Sequence, residues 1–512
     1  MARYNTFKYG GAKYGTSGLT TLLWALLIDW NNDGVSAEVN ESGRLRSFTI
    51  TRGRDGLFSS DPSGEGRLAR MQVGECRLVM DNHDRRYDPW YAGALNPNVM
   101  PGRDVNLWVR NGSGGTDYHL FRGRIDDIQP QRHVSDPTAM IVASDGWRLL
   151  SDQRSTVALQ TDATSDDLIG AALDDASWPS AWGRSLDVGS DTIPYAWIND
   201  QSAFDAIHDV CESEMGLGYV AADGKFYFKS RQNLEIEASA LTLLQGEVSN
   251  EPQVNNPWEA VKNKIAVKAF PRALAALGEI WRLDETPSIA PGQSRTIWGT
   301  FRDQNYNETI AQDVAAPVAT TDYTMNTEAG GGGSDLTGNF TVTATIFAGS
   351  VKLVVTNGGS VDGYVTLLKI RGKPLELLNV SAAISENSAS QTAYGKRELT
   401  LELPFQQQAD VAEDMADWLL TWMKDPLPTC VVEIRGRPTI QFAYDLGTYL
   451  TYTSAYLGIN HRFRIAKIVH ESKTMQDIVT RWTLEPVDQV TAYWQLGTVG
   501  FSELGVTTRL GY

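Results

Sequence analysis

The residues with the clearest potential for metal chemistry form an acidic turn near the start of the chain. Asp29, Asn31, Asp33 and Gly34 match the opening of a calcium-binding loop, in which alternating oxygen ligands and a glycine bend surround the ion. The twelfth position of such a loop is normally a bidentate glutamate, and here it is Asn40. We therefore expect a plain β-turn rather than a structural calcium site.

Two adjacent carboxylate pairs are the candidates for glycan hydrolysis, which needs two carboxyl groups facing one cleft. They are Asp126-Asp127 and Asp174-Asp175. Side chains of adjacent strand residues point to opposite faces of a sheet, which makes such neighbours a poor catalytic pair. We interpret these four residues as solvated residues of turns or strand edges.

One histidine and one cysteine have the spacing of neighbours on a helix. His208 and Cys211 are three residues apart, and a cysteine peptidase needs a thiolate beside an imidazole. Cys211 also falls on an apolar stripe with Phe204 and Ile207, which indicates core packing. The sequence has no HExxH arrangement and no phosphate-binding loop. We therefore predict no catalytic, cofactor-binding or metal-binding residue, no cofactor and no enzymatic activity.

The bulk properties limit the class of protein. A chain of 512 residues is too long for one core, so we expect three or four domains. The formal charge of −17 argues against a protein that binds nucleic acid tightly. An acidic wall would suit a channel through which DNA slides, and simple solubility explains the charge equally well. The widely spaced Cys76, Cys211 and Cys430 predict no disulfide framework. The apolar residues 19–28 are interpreted as a buried strand rather than a signal peptide.

Helices have recognisable start signals in one part of the chain. Thr164 is followed three residues later by Asp167, and Ser202 by Asp205, which is the spacing of a capping box. A hairpin closed at Asp223-Gly224 is predicted after the second helix. This part of the chain reads as a small α+β domain.

Period-two alternation elsewhere predicts strands, so the expected fold class is mainly β with an α+β portion. The predicted organisation is an N-terminal arm (1–18), a first β-barrel domain (19–152), the small α+β domain (153–238), a second β-barrel domain in two pieces (239–303 and 381–488) with a helix at 409–423, an inserted Ig-like β-sandwich (304–380), and a C-terminal arm (489–512).

The ends of the two barrel domains resemble each other, and the matched order of three segments predicts two related barrels. In the first domain the segments are 101–107, 121–128 and 139–145, and in the second they are 445–450, 463–468 and 483–488.

Several short motifs, taken in order, resemble the baseplate-hub or tail-tip hub family of tailed phages and related gene-transfer particles. They cover most of the chain outside the insertion. The motifs are Asp29-Trp30-Asn31-Asn32-Asp33-Gly34, Thr51-Arg52-Gly53-Arg54, Leu78-Val79-Met80-Asp81-Asn82, Arg86-Tyr87-Asp88-Pro89, Pro101-Gly102-Arg103, Phe121-Arg122-Gly123-Arg124-Ile125, Tyr394-Gly395-Lys396-Arg397, Glu503-Leu504-Gly505 and Thr508-Arg509-Leu510-Gly511.

This resemblance implies a structural protein of the virion tail tip, assembled in the host cytoplasm. It implies a homotrimer in which each chain supplies two tail-tube-like barrels, so that three chains form a pseudo-sixfold ring. The implied partners are the distal tail protein or tail tube protein, the tape measure protein and the central fibre or receptor-binding protein. DNA would pass the lumen only transiently, during ejection.

A secreted protein that binds or degrades glycans is the rival hypothesis. In that case the segment 304–380 is its carbohydrate module. The unpaired cysteines and the missing signal peptide argue against it. Within the tail hypothesis the same segment projects from a barrel, and a host-surface glycan is its expected partner.

Overall fold

The computed structural model describes residues 22–34, 39–55, 58–60, 66–93, 95–112, 114–131, 136–249, 252–255, 258–475 and 477–487. Strands dominate these residues, which confirms the prediction of a mainly β, multidomain protein with an α+β portion. The two predicted arms and the last two motifs lie outside the described residues.

The first part of the chain is a six-stranded sheet in which buried and exposed residues alternate. This region contains β1 (Leu22–Ile28), β2 (Leu45–Gly53), β3 (Phe58–Ser60), β4 (Gly66–Leu68), β5 (Gln72–Asp81), β6 (Asp104–Asn111), β7 (Asp117–Gln131) and β8 (Thr138–Ser144). The strand order of the sheet is β1-β6-β7-β8-β5-β2, and β1 lies within the predicted buried segment 19–28. The two end strands share one core, because the rings of Trp24 and Phe48 lie 5.3 Å apart. The sheet is therefore rolled into a barrel-like shape.

The next part is the small α+β unit. The first predicted capping box is present, formed by Thr164 and Asp167, whereas at the second site the Ser202 side chain accepts from the Asp205 N–H without a full capping box. The predicted hairpin is present as β12 (Leu217–Val220) and β13 (Phe226–Lys229), with Gly224 at φ +88° in its turn. The elements are α1 (Gly146–Asp152), β9 (Arg154–Thr164), α2 (Ser165–Asp175), β10 (Arg184–Leu186), β11 (Thr192–Ser202), α3 (Ala203–Glu214), β12 (Leu217–Val220), β13 (Phe226–Lys229) and α4 (Arg231–Ile236).

Three strands and an inserted unit follow. The strands are β14 (Leu241–Leu244), β15 (Gln253–Asn255) and β16 (Lys264–Ala269), and those of the insertion are β17 (Arg272–Leu274), β18 (Gly278–Arg282), β19 (Ser288–Ile289), β20 (Ser294–Thr300), β21 (Ala311–Gln312), β22 (Tyr323–Asn326), β23 (Phe340–Ile346), β24 (Ser350–Asn357) and β25 (Gly363–Leu377).

The inserted unit is a sandwich of two small sheets, one built around β25 and the other in the order β20-β24-β23. The predicted start at residue 304 is wrong, because β18 pairs with β25 and β20 pairs with β24. Ile280 and Phe301 are also buried in this unit's core. The alternation of these strands matches that of the preceding ones, so the sequence pattern did not reveal which sheet they join. Ala269 pairs directly with Ser381, so both ends of the insertion lie side by side.

The last part of the chain returns to the main sheet. The predicted helix is found as α6 with the bounds 409–423, and no helix in the described ranges is long and apolar enough to cross a membrane. The elements are β26 (Ser381–Glu386), α5 (Ser388–Tyr394), β27 (Glu398–Glu402), α6 (Ala409–Met423), β28 (Thr429–Arg435), α7 (Pro438–Gln441), β29 (Tyr449–Ser454), β30 (Ile459–Thr474) and β31 (Asp477–Pro486).

The predicted repeat extends further than three segments. The second half has the strand order β14-β29-β30-β31-β28-β15, which matches that of the first half strand for strand, in space and along the chain. One difference is that β14 runs parallel to β29, whereas β1 runs antiparallel to β6. β16, β26 and β27 were expected in the second barrel, but they form a separate three-stranded sheet under α6.

The two halves are joined by β2 and β30, which pair antiparallel from Phe48–Ser472 to Gly53–Lys467. The result is one continuous sheet of 12 strands rather than two separate ones. We call the contact between β2 and β30 the intrachain junction.

Candidate functional site

The acidic turn uses its oxygens to hold backbone. The buried Asp29 carboxylate accepts the N–H groups of Asp33 and Gly34 at 2.9 and 3.0 Å. Asn40 Oδ1 likewise accepts from the Leu26 N–H at 3.1 Å. Within the described ranges, no three His, Cys, Asp or Glu side chains are grouped as metal ligands. The arrangement is therefore that of a hydrogen-bonded turn.

The members of each carboxylate pair have separate partners. Asp126 accepts from the Ser144 hydroxyl, whereas Asp127 accepts from Gln129 Nε2 at 2.6 Å. Asp174 binds Arg184 at 2.7 Å, and Asp175 accepts the Thr156 N–H at 2.7 Å. Neither pair directs two carboxyl groups at a common point. The described geometry gives the two-carboxylate mechanism no support.

His208 and Cys211 are both buried in the core of the α+β unit. The centre of the imidazole ring lies 4.4 Å from the ring centre of Trp147 and 4.3 Å from that of Phe204. Its Nδ1 is 2.8 Å from the Phe204 carbonyl oxygen. Burial lowers the pKa of His208 to about 3 and raises the pKa of the Cys211 thiol. A neutral imidazole and a protonated thiol do not form the ion pair that a cysteine nucleophile needs.

The three cysteines should be inert toward thiol reagents in the folded chain. Cys76, Cys211 and Cys430 are each at most 4% exposed, and burial raises the pKa of all three thiols. Because the thiolate is the reactive form, we expect no labelling by a chromogenic disulfide reagent under native conditions and full labelling in denaturant. Rapid native labelling of even one thiol would contradict this burial.

The intrachain junction encloses a buried group of three charges. Glu485 accepts from Arg54 Nη2 at 2.8 and 3.0 Å and from Arg464 Nε at 2.6 Å. Burial alone would raise the pKa of Glu485, but the two guanidinium groups hold it below its usual value. Arg54 follows β2 of the first half, whereas the other two residues belong to the second. This buried ion group therefore fixes one half against the other.

A second set of polar contacts lies beside it. Arg52 Nη2 binds Asp445 Oδ1 at 2.6 Å, and the other oxygen of Asp445 accepts the Ala222 N–H at 2.6 Å. His470 is buried opposite Ile50, and its Nδ1 is 2.9 Å from Thr480 Oγ1. These contacts connect both halves and the α+β unit.

His470 should make stability depend on pH. Burial, reinforced by the charge of Arg52, lowers its pKa from 6.5 to about 3. The unfolded chain takes up a proton below pH 6.5 while the folded chain does not, so this contribution to stability is complete above pH 6.5 and is lost as the pH falls toward 3. In His470→Gln this loss is absent. The difference in unfolding free energy between parent and variant, measured with urea, should shrink by about 1.4 kcal/mol per pH unit from pH 6 to pH 4. A constant difference would contradict the burial of a neutral imidazole.

Matching turns identify equivalent positions in the two halves. Gly102 donates to the Ile125 carbonyl at 2.7 Å, and Gly447 donates to the Ile465 carbonyl at 2.9 Å. Both glycines have positive φ, +84° and +74°, and each isoleucine also donates to the residue that follows its glycine. A β-bulge follows each isoleucine. The sequence signal for this match is the pair of Gly-containing segments at 101–107 and 445–450.

One face of the continuous sheet points away from the cores. Its charges are paired along and across the strands: Arg77 binds Glu75 of the same strand at 2.5 Å, and Arg481 of β31 lies 3.1 Å from both Glu433 of β28 and Glu471 of β30. These contacts join two arginines to three glutamates, so most of the charge they involve is neutralised. The acidic excess expected of a DNA-repelling wall is therefore not concentrated in these pairs.

The connection between β5 and β6 is anchored on a buried carboxylate that sequence reasoning did not identify. Glu41 accepts from the Tyr87 hydroxyl at 2.9 Å and from Arg86 Nε at 3.0 Å. The same connection exposes 89% of the Trp90 side chain, and the Arg85 guanidinium lies 4.0 Å from the centre of the Tyr91 ring. The motif at 86–89 thus supports a rigid loop that presents an aromatic side chain.

A cavity of about 470 Å³ lies where the inserted unit meets β11. It is lined by polar groups such as Asn199, Asp303 and Asn305 and by Trp197, whose ring lies 4.4 Å from the Arg272 guanidinium. Burial lowers the pKa of Arg272. The cavity has the polar and aromatic groups that a sugar needs, and Glu308 and Glu376 line it together with Asp303.

Comparison with known proteins gives matches among solved structures. No protein family model and no curated protein matches the chain. The chain is similar to a tail protein from Neisseria meningitidis MC58, with 10% identity, a TM-score of 0.49, and coverage of 91% of this chain and 97% of that one. The 43 kDa tail protein of prophage MuSo2 from Shewanella oneidensis has 10% identity, a TM-score of 0.48, and coverage of 90% and 98%. A prophage tail protein from Listeria monocytogenes EGD-e has 9% identity, a TM-score of 0.42, and coverage of 90% and 94%. All three of these structures are described as tail proteins.

Proposed function

We propose that this chain is a structural, non-enzymatic hub at the tip of a phage tail, where copies of it form a ring around the path of the DNA. The observation that carries this proposal is the repeat: two rolled halves with the same strand order lie side by side in one sheet. If each half occupies one sixth of a ring, three copies continue a sixfold tail tube. The chain would then adapt a sixfold tube to a threefold fibre.

The exposed sheet face is the proposed wall of the DNA conduit. Its paired charges, such as Arg77 with Glu75, offer neither a run of free cations to hold the phosphates nor a strong acidic field. A wall of this kind lets DNA pass without binding it. The formal charge of the chain was compatible with an acidic lining, and the paired charges favour a nearly neutral one.

Contacts with other tail proteins require exposed side chains on rigid supports. The loop that presents Trp90 has both properties, since Glu41 anchors it from below. We assign this loop to the contact with a neighbouring tail component, either the distal tail or tube protein or the central fibre. Tape measure protein and transient DNA remain the expected contents of the lumen.

The test is the mass of the purified full-length chain in solution, combined with negative-stain imaging. A particle of three chains with a central opening is expected. A monomer at high concentration, both alone and mixed with the tail-tube protein of the same phage, would contradict the ring and with it the proposed function.

Contact between the inserted unit and a host-surface glycan is the second candidate function. The polar cavity beside Trp197 favours it. Because Ala269 and Ser381 are direct partners, residues 270–380 can be replaced by a two-residue Asn-Gly turn. Phage carrying this deletion should assemble normally but adsorb poorly. Unchanged adsorption would contradict the glycan role. Strong binding of cell-wall polysaccharide by a chain that forms no ring would instead favour the rival hypothesis of a secreted protein.

A further inference from the structure

The outer half of β7 is an open sheet edge in the described part of the chain. From Asp127 to Gln131 this strand pairs with β8 on one side, and no described strand pairs with its other side. The equivalent half of β30 is paired on both sides, with β31 and with β2 of the intrachain junction. Backbone N–H and C=O groups on an open edge are a template for another strand.

The short strand β15 is the second-half counterpart of β2. Ile50 in β2 pairs with Cys76 in β5, and Val254 in β15 pairs with Cys430 in β28. In the first half, Cys76 pairs with the residue of β8 that also pairs with the isoleucine before the bulge of β7. In the second half, Cys430 pairs with the residue of β31 that also pairs with the isoleucine before the bulge of β30. Val254 is therefore the equivalent of Ile50.

The partner of Val254 follows from the register of the intrachain junction. Across the intrachain junction, Ile50 pairs with His470. His470 is the fifth residue after the isoleucine that precedes the bulge of β30, and the fifth residue after the matching isoleucine of β7 is Pro130. The intrachain register thus predicts a contact between Val254 and Pro130, which a single chain leaves unmade.

We propose that β15 of one copy pairs antiparallel with the outer half of β7 of a second copy, with Val254 opposite Pro130 and Asn255 opposite Gln129. We call this contact the interchain junction. It rests on the proposed ring and names the strands that join its copies. The same contact, repeated from copy to copy, would extend the sheet around the ring, because the described part of each copy has one unpaired edge on the outer half of β7 and one on β15.

Pro130 makes this edge selective. Proline has no N–H group, so at this position β7 can accept a hydrogen bond from the Val254 N–H but cannot return one. A proline on an edge strand also discourages the addition of unrelated strands. The interchain junction consequently needs a further anchor outside the strand pair.

Trp258 provides that anchor. It stands four residues after Val254, as Arg54 stands four residues after Ile50, and the Arg54 N–H donates to the carbonyl of the bulge residue Ala466 at 2.9 Å. The equivalent bulge residue in β7 is Asp126. The Trp258 side chain is 57% exposed, and the Arg397 guanidinium lies 3.8 Å from the centre of its ring. A tryptophan supported in this way is typical of residues that dominate protein interfaces.

Disulfide trapping tests the register. In non-hydrogen-bonded antiparallel pairs the Cα atoms are about 4.5 Å apart, which a disulfide can span. Mild oxidation of the full-length double variant Asn255→Cys, Gln129→Cys should give covalent dimers and trimers. The intrachain pair Thr51→Cys, Val469→Cys is the matched positive control and should give a bridged monomer. The native thiols are buried and should not interfere.

Trp258→Ser should weaken assembly by about tenfold or more without changing the circular dichroism of the chain. Trp298→Ser, which removes a tryptophan that is 60% exposed on the inserted unit, is the control and should leave assembly unchanged. A ring that forms without cross-links at these cysteines would overturn the interchain junction and leave the proposed function intact. A chain that forms no ring would overturn both.

Discussion

Replacing Glu485 with glutamine should lower the free energy of unfolding by about 3–5 kcal/mol, the cost of leaving buried charges without their partner. The Glu485 side chain is 3% exposed, and those of Arg54 and Arg464 are 6% and 8% exposed. Both guanidinium groups would stay buried with no neighbouring anion to balance them. Because Arg54 belongs to the other half of the chain, the substitution should weaken the intrachain junction in particular. Urea unfolding at pH 7 measures it.

Glu471→Gln is the matched control. Glu471 lies on the same strand pair and binds Arg481 at 3.1 Å, but both side chains are at least one-third exposed. Solvent screens such a pair, so the expected loss is about 1 kcal/mol at most. Equal losses in the two variants would mean that the buried ion group does not hold the halves together.

Gly53→Ala should destabilise the chain by about 3 kcal/mol or more and separate the two halves. Gly53 has φ +110°, and a Cβ atom at this position would lie 2.1 Å from the Ala466 carbonyl oxygen. That oxygen belongs to the backbone of the partner strand in the intrachain junction, so it cannot move away without breaking the strand pair. Thermal unfolding should show a large loss of stability, and limited proteolysis should find new cleavage between the halves.

Gly43→Ala is the control for this variant. A Cβ atom there has no neighbour within 4 Å, and the residue has no positive φ. The substitution should change stability by less than about 1 kcal/mol. A Gly53→Ala chain as stable as the Gly43→Ala chain would show that β2 and β30 are not tightly paired.

The parts of the fold that depend on nearby residues were predictable from the sequence. Thr164 and Asp167 form a capping box with each other, and Gly224 supplies the left-handed conformation that its hairpin turn needs. The helix at 409–423 was predictable because its apolar face and its proline stop lie within one short segment. Each of these features is decided within a few residues.

The parts that depend on distant residues were not predictable in the same way. The alternation of apolar and polar residues identifies the buried face of β2 but not the strand that pairs with it. That strand, β30, lies some four hundred residues away along the chain. The start of the inserted unit was misplaced for the same reason. Arg54 and Glu485 were noticed as members of motifs, yet nothing in one sequence indicates that they form an ion pair.

The adjacent ends of the inserted unit have an evolutionary consequence. Ala269 and Ser381 are partners in one hairpin, so the whole unit occupies the position of a single surface loop. A recombination event that removes, duplicates or trades the DNA for residues 270–380 leaves every strand of the 12-stranded sheet with its neighbours. Lineages that carry this chain can therefore acquire a new module in one genetic step, while the strand pairing of the 12-stranded sheet stays unchanged.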